Sequence, residues 1–501
     1  MKRTLSFMVL FILLLAFSPQ ANADDTHHVA MTKQWVIKFN TPVDTSTVQN
    51  NIYVINENAP DKRVALKEFT YANGNKHVIV TPNGTYRQGD SYQLIVTNGV
   101  KSTEGNSLKA SKKVRFTVEN GCEVLKNAKP NSPYAVKIAT FDGDAAHLGA
   151  CTTSNGTSYS FNYSYANAVT NSTLAYEGES DGYYFINSGG RTMAVDKSVA
   201  KKVDGFKLSY YEVKNNSLYH SVYTANDKYE VYITPGYPDF LKPGAVYSSY
   251  DGSTFTDKDG KVVGTAYNYF QFISIRTKTN YTADELNRYI ENKMPADSVM
   301  QGMGEALIKA QDTYNLNALF MLAFAAHESQ NGTSTNAKNL KNIYSLDLRD
   351  INPSTYVYTS VEENLNVASE AILEKYLKIG GVYANGALIG NNSHGMNVKF
   401  ATDPYWGEGI AGHMNQIDLY LGSKDKFSHK LGIIDSEYDF LNIRNDVFAS
   451  QSPLYRHVLS NGRGVTIIGE KPSYYELLGD YGQTPGIVTG TKQYINEVVT
   501  Y

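Results

Sequence analysis

Apolar and polar positions alternate through the first part of the chain, residues 24–119. Trp35, Ile37 and Phe39 occupy every second position, and the same spacing recurs within 92–96. A period of two is typical of strands that bury one face, and turn-forming Asn and Gly clusters separate the runs. The sequence therefore predicts a small all-β module over residues 24–119.

Residues 120–280 are strand-like as well and are rich in Tyr, Ser, Asn and Gly. Eleven tyrosines fall between Tyr210 and Tyr269, and a tyrosine ring offers an apolar face with a hydrogen-bonding tip. One interpretation is a glycan-binding face of stacked rings, and the other is that the rings fill small β-barrels and their rims. We favour the second, because strands select aromatic residues in any case.

A helical period replaces the alternation from residue 281 onwards. Thr282 and Glu285 form a capping box at the predicted start of one helix. Four more helices are predicted from their apolar spacing, in the segments GEALIKAQDTY, ALFMLAFAAHES, SVEENLNVASEAILEKYL and GEGIAGHMNQIDLYL. The second of these is apolar on every side, which marks it as buried. Together they predict an all-α domain at 281–425, followed by short glycine-punctuated strands at 426–501.

The N-terminus has the features of an export signal. Lys2 and Arg3 precede a mostly apolar run, Leu5–Phe17, and an Ala-Asn-Ala triplet ends at residue 23. We predict a signal peptide at 1–23 that is removed after export. The alternative is an uncleaved membrane anchor, which the shortness of the apolar run disfavours.

The charge balance of the chain disfavours one class of function, nucleic-acid binding. The 501-residue chain has 46 Lys and Arg residues and 49 Asp and Glu residues, which gives a net charge of -3. Removal of the signal peptide would take away two basic residues and leave 44 against 49, a net charge of -5. Nucleic-acid-binding proteins usually carry a basic excess, so we expect no nucleic-acid partner.

Cys122 and Cys151 are open to two interpretations: a disulfide that stabilises by ~3–4 kcal/mol, or two separate buried thiols.

Glu328 is the strongest candidate for chemistry. It lies at the end of the predicted buried helix, where apolar packing raises the pKa of a carboxyl group and the helix dipole acts in the same direction. A carboxylic acid that is protonated near neutral pH can protonate the leaving oxygen of a glycosidic bond. The alternative is a paired structural acid at a helix end.

Two separated blocks of sequence carry a specific resemblance. The first, NALFMLAFAAHESQNGTSTNAKNLKNIYSLDLRD, combines a buried apolar helix, an HES triplet and a Gly-Thr-x-x-x-Ala-Lys stretch, and the second is GMNVKFATDPYWGEGIAGHMNQID. Both resemble glycoside hydrolase family 73, bacterial endo-β-N-acetylglucosaminidases with a lysozyme-like α fold. The resemblance covers about residues 281–425, and the whole chain resembles the multidomain autolysins of Gram-positive bacteria.

The flanking β regions carry resemblances of their own. The segment WVIKFNTPVDTSTVQNNIYV resembles bacterial Ig-like domains. Residues 120–280 resemble the SH3-like repeats of cell-wall hydrolases, and residues 426–501 resemble a bacterial SH3-like domain. The expected fold is multidomain: an all-α lysozyme-like catalytic domain flanked by an all-β Ig-like sandwich and an all-β SH3-like barrel.

The family resemblance implies roles for individual residues. Glu328 matches the general acid, and Asp350 and Glu362 each match a second carboxylate that would activate water or stabilise the oxocarbenium-like transition state. A third route would use the N-acetyl group of the substrate as nucleophile. Asp350 and Glu362 are alternatively a loop charge and a helix-surface charge.

A second set of residues is implied to line the substrate groove. Its members are Tyr344, Phe400, Tyr405, Trp406 and Glu408. The Trp406 ring would stack on a sugar while Glu408 takes hydroxyl hydrogen bonds, although Trp406 is alternatively a core anchor for the last helix. Phe400 departs from the family pattern, which has a tyrosine whose hydroxyl helps to position the substrate.

Two further departures from the family pattern lie in the first block, after Glu328. Ser345 stands where glycine is common in the family, and Gln330-Asn331 replace a frequent x-Trp pair. These differences bear on catalytic efficiency more than on the fold.

We therefore expect a secreted, wall-associated peptidoglycan hydrolase of a Gram-positive bacterium that cleaves the β-1,4 bond after GlcNAc. Its partners would be glycan strands and their stem peptides, with no membrane contact after signal removal, no cofactor and no metal. A zinc peptidase is disfavoured because His327-Glu328 is followed by Asn331 where an HExxH motif needs histidine. The remaining alternative is a surface adhesin with a decayed hydrolase domain, which the Phe400 change favours.

Overall fold

The computed structural model describes residues 13–15 and 27–501, except for the segments 130–133, 140–144, 154–158, 171, 204–208, 224–227, 346–356, 437–439, 446–452, 459 and 483–485. Within these residues, an N-terminal β module leads through two further β units to a helical domain and a C-terminal β module. The predicted multidomain organisation, with a β-rich N-terminal region and a helical domain, is confirmed.

The N-terminal module consists of two sheets around one core. Its strands are β1 Leu13–Leu15, β2 His27–Val29, β3 Trp35–Phe39, β4 Ile52–Asn56, β5 Ala59–Arg63, β6 Thr70–Ala72, β7 His77–Val80, β8 Ser91–Val96 and β9 Lys112–Val118, with the short helix α1 Val48–Asn51 before β4. The sheet orders are β1-β3-β7-β6 and β2-β9-β8-β4-β5. Trp35, Tyr86, Tyr92 and Phe116 interlock in the core with ring centroids 5.0–5.3 Å apart. The alternation predicted at Trp35–Phe39 is confirmed.

The first strand falls inside the predicted signal peptide. Leu13 pairs opposite Phe39 and Leu15 opposite Ile37, so β1 extends the first sheet. The rest of the signal prediction, residues 1–12 and 16–23, lies outside the described residues. Signal cleavage after residue 23 would remove β1 from this sheet.

The second β unit is joined to the first module by a disulfide-bonded helix. It comprises α2 Gly121–Leu125, β10 Ala135–Ile138, β11 Ala146–Thr153, β12 Tyr159–Ala168, β13 Thr173–Glu179, β14 Tyr183–Ser188, β15 Arg191–Asp196 and β16 Ala200–Val203. The strands form a sheet of order β12-β11-β15-β14-β13-β10-β16. Cys122 on α2 is bonded to Cys151 on β11, which decides between the two interpretations of these cysteines.

The third β unit contains much of the tyrosine-rich segment. Its strands are β17 Tyr210–Lys214, β18 Ser217–Tyr223, β19 Tyr229–Pro235, β20 Val246–Tyr247, β21 Thr254–Thr256 and β22 Val262–Thr265. The first four form a sheet of order β19-β18-β17-β20, and the last two form a hairpin. Tyr211 and Tyr247 are buried in its core. Neither this unit nor the second forms a closed barrel among its described residues.

The helical domain matches the predicted elements closely. Its helices are α3 Tyr269–Phe272, α4 Ala283–Lys293, α5 Gly304–Tyr314, α6 Ala318–Ser329, α7 Thr335–Leu340, α8 Val361–Lys375, α9 Asn397–Phe400 and α10 Trp406–Leu421. The capping box of Thr282 and Glu285 at the start of α4 is confirmed. Helix α6 is buried from Ala318 to Ala326 and forms the centre of the domain core. No helix among the described residues is long and apolar enough to cross a membrane.

The C-terminal module is a small sheet with a separate strand pair. Its strands are β23 Lys430–Ile434, β24 Phe440–Ile443, β25 Tyr455–Val458, β26 Gly464–Glu470, β27 Tyr474–Leu478, β28 Ile487–Thr491 and β29 Ile495–Glu497. The main sheet has the order β28-β27-β26-β23-β29, and β24 pairs with β25. The described strands do not close into a barrel, so the predicted SH3-like barrel is not confirmed.

Candidate active site

Glu328 stands where the buried helix α6 reaches the edge of the domain. Residues 318–326 are buried, whereas His327 and Glu328 are only half-buried. Gln330 ends the helix in a left-handed conformation at φ 53°. The hydroxyl of Ser329 donates to the carbonyl oxygen of Ala325 and accepts from the N–H of Gly332. This cap fixes the last turn and therefore the direction of the Glu328 side chain.

The carboxyl group of Glu328 accepts hydrogen bonds from the side chains of Trp406 and Ser345. The indole Nε1–H of Trp406, the first residue of α10, donates to Glu328 Oε1 at 2.7 Å. Burial raises the pKa of Glu328 above its ordinary value, the Trp406 hydrogen bond opposes this, and the negative charge of Asp403 adds to the rise. The predicted rise in this pKa is confirmed in direction, with burial as its main cause.

Aromatic rings pack against the Trp406 side of the Glu328–Trp406 pair. The Phe400 ring stacks on Trp406 at 4.8 Å, and Phe324 contacts both rings edge-on at 5.0 and 5.5 Å. Tyr344 packs edge-on against Phe324 and donates its hydroxyl to the carbonyl oxygen of Met321. Tyr344 is 0% and Trp406 3% exposed. In this structure both rings therefore face the core, which supports the interpretation of Trp406 as a core anchor.

Ser345, one of the departures from the family pattern, has a strained backbone conformation. Ser345 has a φ of 46°, in the left-handed region that glycine adopts without steric cost. Its hydroxyl points to the carbonyl oxygen of Glu328 at 3.5 Å. The position therefore requires a conformation that favours glycine, and Ser345 adopts it beside the candidate acid.

Asp403 is a site residue that the sequence reasoning missed. Its Oδ2 accepts the hydroxyl of Tyr232 at 2.6 Å, and its Oδ1 accepts the N–H of Tyr405 at 2.9 Å. Burial raises the pKa of Asp403, and the Tyr232 hydroxyl opposes the rise. Asp403 lies in the ATDPYWG block, but nothing in the sequence shows that Tyr232, from the third β unit, would hold it.

Glu408 is engaged by the third β unit as well. His220 Nδ1 lies 2.7 Å from Glu408 Oε2, and the hydroxyl of Tyr211 donates to the same oxygen at 3.2 Å. The Tyr405 ring packs edge-on against His220 at 4.6 Å, and burial raises the pKa of Tyr405 to about 12. Glu408 is 7% exposed, so in this structure it joins two modules instead of facing an open groove.

Two glycines allow α10 to approach its neighbours closely. A Cβ at Gly409 would lie 2.7 Å from His327 Cε1 and 3.0 Å from Tyr232 Cε1. A Cβ at Gly412 would lie 2.8 Å from the carbonyl oxygen of Ile233 on β19. The GEGIAG segment therefore accommodates both the end of α6 and the third β unit.

Of the two candidates for the second carboxylate, the structure describes only Glu362. Glu362, in the first turn of α8, is exposed, and its carboxylate lies 3.5 Å from Lys309 Nζ. Asp350 lies outside the described residues. Among the described residues, no group of three His, Cys, Asp or Glu side chains is placed to hold a metal ion.

Comparison with known families identifies two of the modules. Residues 304–419 match the family described as mannosyl-glycoprotein endo-beta-N-acetylglucosaminidase. The helical module is a glucosaminidase-family domain. Residues 14–118 match the bacterial Ig-like domain family, a match that begins within the predicted signal peptide.

Curated relatives of this chain carry similar descriptions. A putative endo-beta-N-acetylglucosaminidase of Streptococcus pneumoniae is 33% identical over 220 residues, which are 44% of this chain and 31% of the relative. A beta-N-acetylglucosaminidase of Bacillus subtilis is 28% identical over 95 residues, 18% of this chain and 10% of the relative. The chain thus spans about a third of the length of its pneumococcal relative.

Solved structures show a weaker similarity. Autolysin E of S. aureus, in a complex with the disaccharide NAG-NAM, aligns with a TM-score of 0.27 and 19% identity, over 33% of this chain and 83% of that one.

Proposed function

We propose that this protein is a peptidoglycan hydrolase that cleaves the β-1,4 bond after GlcNAc, with Glu328 as the general acid. The observation that carries the proposal is the Glu328–Trp406 pair at the end of α6, inside the glucosaminidase domain. Export, attachment to a Gram-positive cell wall and an SH3-like identity for residues 426–501 belong to the same proposal. The N-terminal residue of the mature protein tests export: cleavage predicts a start at residue 24.

The hydrogen bond from Trp406 gives the two oxygens of Glu328 different tasks. Oε1 accepts the indole N–H, so a protonated Glu328 carries its proton on Oε2. A raised pKa keeps that proton in place closer to neutral pH, and Oε2–H can be donated to the glycosidic oxygen as the bond breaks. The rings of Phe324 and Phe400 exclude water from one side of the pair.

The second carboxylate of the mechanism is proposed to be Asp350 or Glu362. Glu362 is solvent-exposed and paired with Lys309, and an exposed, paired carboxylate is poorly placed to activate water in a desolvated site. This favours Asp350. Asp403 shapes the electrostatics of Glu328 from a half-buried position, where Tyr232 donates a hydrogen bond to it.

Glu328→Gln tests the assignment of the acid. Glutamine can still accept the Trp406 hydrogen bond but carries no acidic proton, so wall lysis should fall roughly 100- to 10,000-fold. The matched control is Glu374→Gln, on the exposed face of α8 and paired with Lys378, which should keep wild-type activity. Full activity in Glu328→Gln would show that another group is the acid. Inactivity of the wild-type protein on isolated walls would favour the adhesin alternative.

A further inference from the structure

A cavity of about 850 Å³ lies where the second and third β units, the helical domain and the C-terminal module meet. Each of these contributes to its wall, through Thr192, Ser253, His394 and Gly462 respectively. The volume is within the range of small-ligand pockets in proteins, roughly 300–1,000 Å³. None of the residues assigned above to the Glu328 site is among the described residues that line it, so the cavity is a separate feature.

Two turns from different units are joined on the wall of this cavity. Asn391 begins a turn that is closed by a hydrogen bond from its N–H to the carbonyl oxygen of His394 at 2.9 Å. Its side-chain Nδ2 donates to the carbonyl oxygen of Asp251 at 3.2 Å. Asp251 in turn accepts the N–H of Ser253 on its carboxylate at 2.7 Å. The side chains of His394 and Ser253 are therefore held on two linked turns, and both line the cavity.

Each of these two side chains has a buried polar atom with no hydrogen-bond partner among the described residues. The atoms are His394 Nδ1, in a residue 3% exposed, and Ser253 Oγ, in a residue 1% exposed. Buried polar atoms in proteins are almost always hydrogen-bonded. Both atoms are therefore available to a ligand in the cavity.

The His394 ring requires a hydrogen-bond donor. Burial, together with the positive charges of Arg191 and Arg463, lowers the pKa of His394 well below its ordinary value, so the ring is neutral. The ring also makes a hydrogen bond to the backbone of Asn461, and because Nδ1 has no partner this bond comes from Nε2. A neutral imidazole that donates from one nitrogen accepts at the other, so Nδ1 is an acceptor.

The charged side chains around the cavity favour an uncharged ligand, because those among the described residues are already engaged. Glu123 pairs with Lys126 at 2.9 Å, and Asp251 accepts three hydrogen bonds within its own turn. Arg191 lies over the Tyr165 ring at 6.0 Å and has a further partner of its own. A charged ligand would have to compete with these contacts for a counter-charge.

The remaining part of the wall is apolar and aromatic. The rings of Tyr267 and Phe272 pack edge-on at 5.2 Å, and the Cys122–Cys151 disulfide also lines the cavity. Small-ligand sites commonly combine such apolar surface with a few placed polar groups. A hydroxyl group can both donate to Nδ1 and accept from a serine, and a sugar ring carries several hydroxyls around an apolar C–H face. The wall therefore has the chemistry of a sugar site.

We propose that this cavity binds one neutral sugar unit, with one hydroxyl donating to His394 Nδ1 and another hydrogen-bonded to Ser253 Oγ. Tyr267 and Phe272 supply the apolar wall against the ring. GlcNAc, the uncharged sugar of peptidoglycan, is the natural ligand, and that choice rests on the proposed function. The site would give the protein a second contact with glycan, at the junction of its modules and away from Glu328.

Isothermal titration of the full chain with free GlcNAc, glucosamine and MurNAc tests the proposal. GlcNAc should bind saturably with a Kd of about 1 mM or below. Glucosamine carries an ammonium group and MurNAc a carboxylate, so each should bind at least about tenfold more weakly. Tighter binding of either charged sugar, or no saturable binding of GlcNAc, would overturn the proposal.

His394→Gln and Ser253→Ala assign the binding to this cavity. The amide of glutamine can keep the donor to Asn461 but places no acceptor where Nδ1 stands, so the affinity for GlcNAc should fall at least about tenfold. Ser253→Ala removes a hydroxyl without a partner in the fold, so the melting temperature should not fall while the affinity drops about threefold or more. The matched control is Ser46→Ala, exposed in the Ig-like module, which should keep wild-type affinity.

Unchanged GlcNAc affinity in Ser253→Ala and in a folded His394→Gln variant would place the binding elsewhere and overturn the site. Wall lysis by a protein that binds no GlcNAc in this cavity would contradict this inference alone. GlcNAc binding that is lost in His394→Gln, in a protein whose wild type does not lyse walls, would contradict the proposed function alone.

Discussion

Replacement of Tyr232 by phenylalanine tests whether the third β unit is part of the active site. The Tyr232 hydroxyl donates to Asp403 Oδ2 at 2.6 Å, and Asp403 is close enough to Glu328 for its charge to raise the pKa of that residue. Tyr232→Phe removes only this hydroxyl. The ring keeps its place against α10, so the module contact should survive.

The size of the effect follows from the kind of hydrogen bond that is lost. A hydrogen bond to a charged group contributes about 1.5–3 kcal/mol. If that stabilisation is needed to hold the Asp403–Trp406 segment in its reactive geometry, kcat/KM should fall roughly 10- to 150-fold. The remaining bond to Asp403, from the N–H of Tyr405, limits the loss.

The pH profile separates an electrostatic role from a purely structural one. The Tyr232 hydroxyl opposes the rise in the Asp403 pKa, so Tyr232→Phe raises that pKa further and leaves Asp403 neutral over a wider pH range. A neutral Asp403 no longer raises the pKa of Glu328. A general acid acts only while it is protonated, so the alkaline limb of the kcat/KM profile should move to lower pH.

The assay is the release of reducing ends from a soluble glycan-strand fragment, followed over a range of pH. Tyr219→Phe is the matched control, because Tyr219 lies on β18 of the same sheet and is only half-buried. This control should stay within about threefold of the wild type, since surface substitutions change stability little. Wild-type rates and an unshifted pH profile in Tyr232→Phe would refute the reasoning.

Four further substitutions test other parts of the site. Trp406→Phe removes the hydrogen bond that opposes the rise in the Glu328 pKa, so the alkaline limb of the pH profile should move to higher pH; a shift to lower pH would contradict this sign. Asp350→Asn should reduce kcat roughly 100-fold or more. Glu362→Gln should reduce kcat less than tenfold, because Glu362 is exposed. If steady-state kinetics gave the larger loss to Glu362→Gln, Glu362 would be the second carboxylate. Gly412→Ala places a Cβ 2.8 Å from a carbonyl oxygen of β19. It should destabilise the protein by about 1–3 kcal/mol, which a lower melting temperature would show. A higher melting temperature, as the greater helix propensity of alanine alone would give, would show that the close approach of α10 to β19 is not needed.

The helical domain could be predicted from the sequence in detail because its signals are local. The capping box at Thr282 and the apolar helix that ends at Ser329 follow from spacing and composition within a single segment. The pKa shift of Glu328 follows in the same way from its position at the end of a buried helix.

The contacts between modules could not be predicted, because they join residues far apart in the chain. Tyr232 reaches Asp403 across 171 positions, and His220 reaches Glu408 across 188. In sequence, the tyrosine-rich strands are consistent with packing or with sugar binding. The structure shows a third role, since the hydroxyls of Tyr211 and Tyr232 each donate a hydrogen bond to a carboxylate of the glucosaminidase domain.

The burial of Tyr344 and Trp406 could not be predicted for a related reason. A motif places Tyr344 and Trp406 near Glu328 along the chain but does not say which side of each ring faces solvent. Packing against Phe324 decides this. The predicted SH3-like barrel rested on glycine-punctuated strands. That pattern is equally compatible with the sheet order β28-β27-β26-β23-β29, in which the described strands do not close.

The identity of the sugar at the newly formed reducing end is the most direct test of the central claim. Purified protein is incubated with peptidoglycan, the products are reduced with borohydride, and the reduced sugar is identified by mass spectrometry. We expect reduced GlcNAc in the wild-type digest and its loss in Glu328→Gln. Reduced MurNAc in place of GlcNAc would show that a different bond is cut and would contradict the assignment.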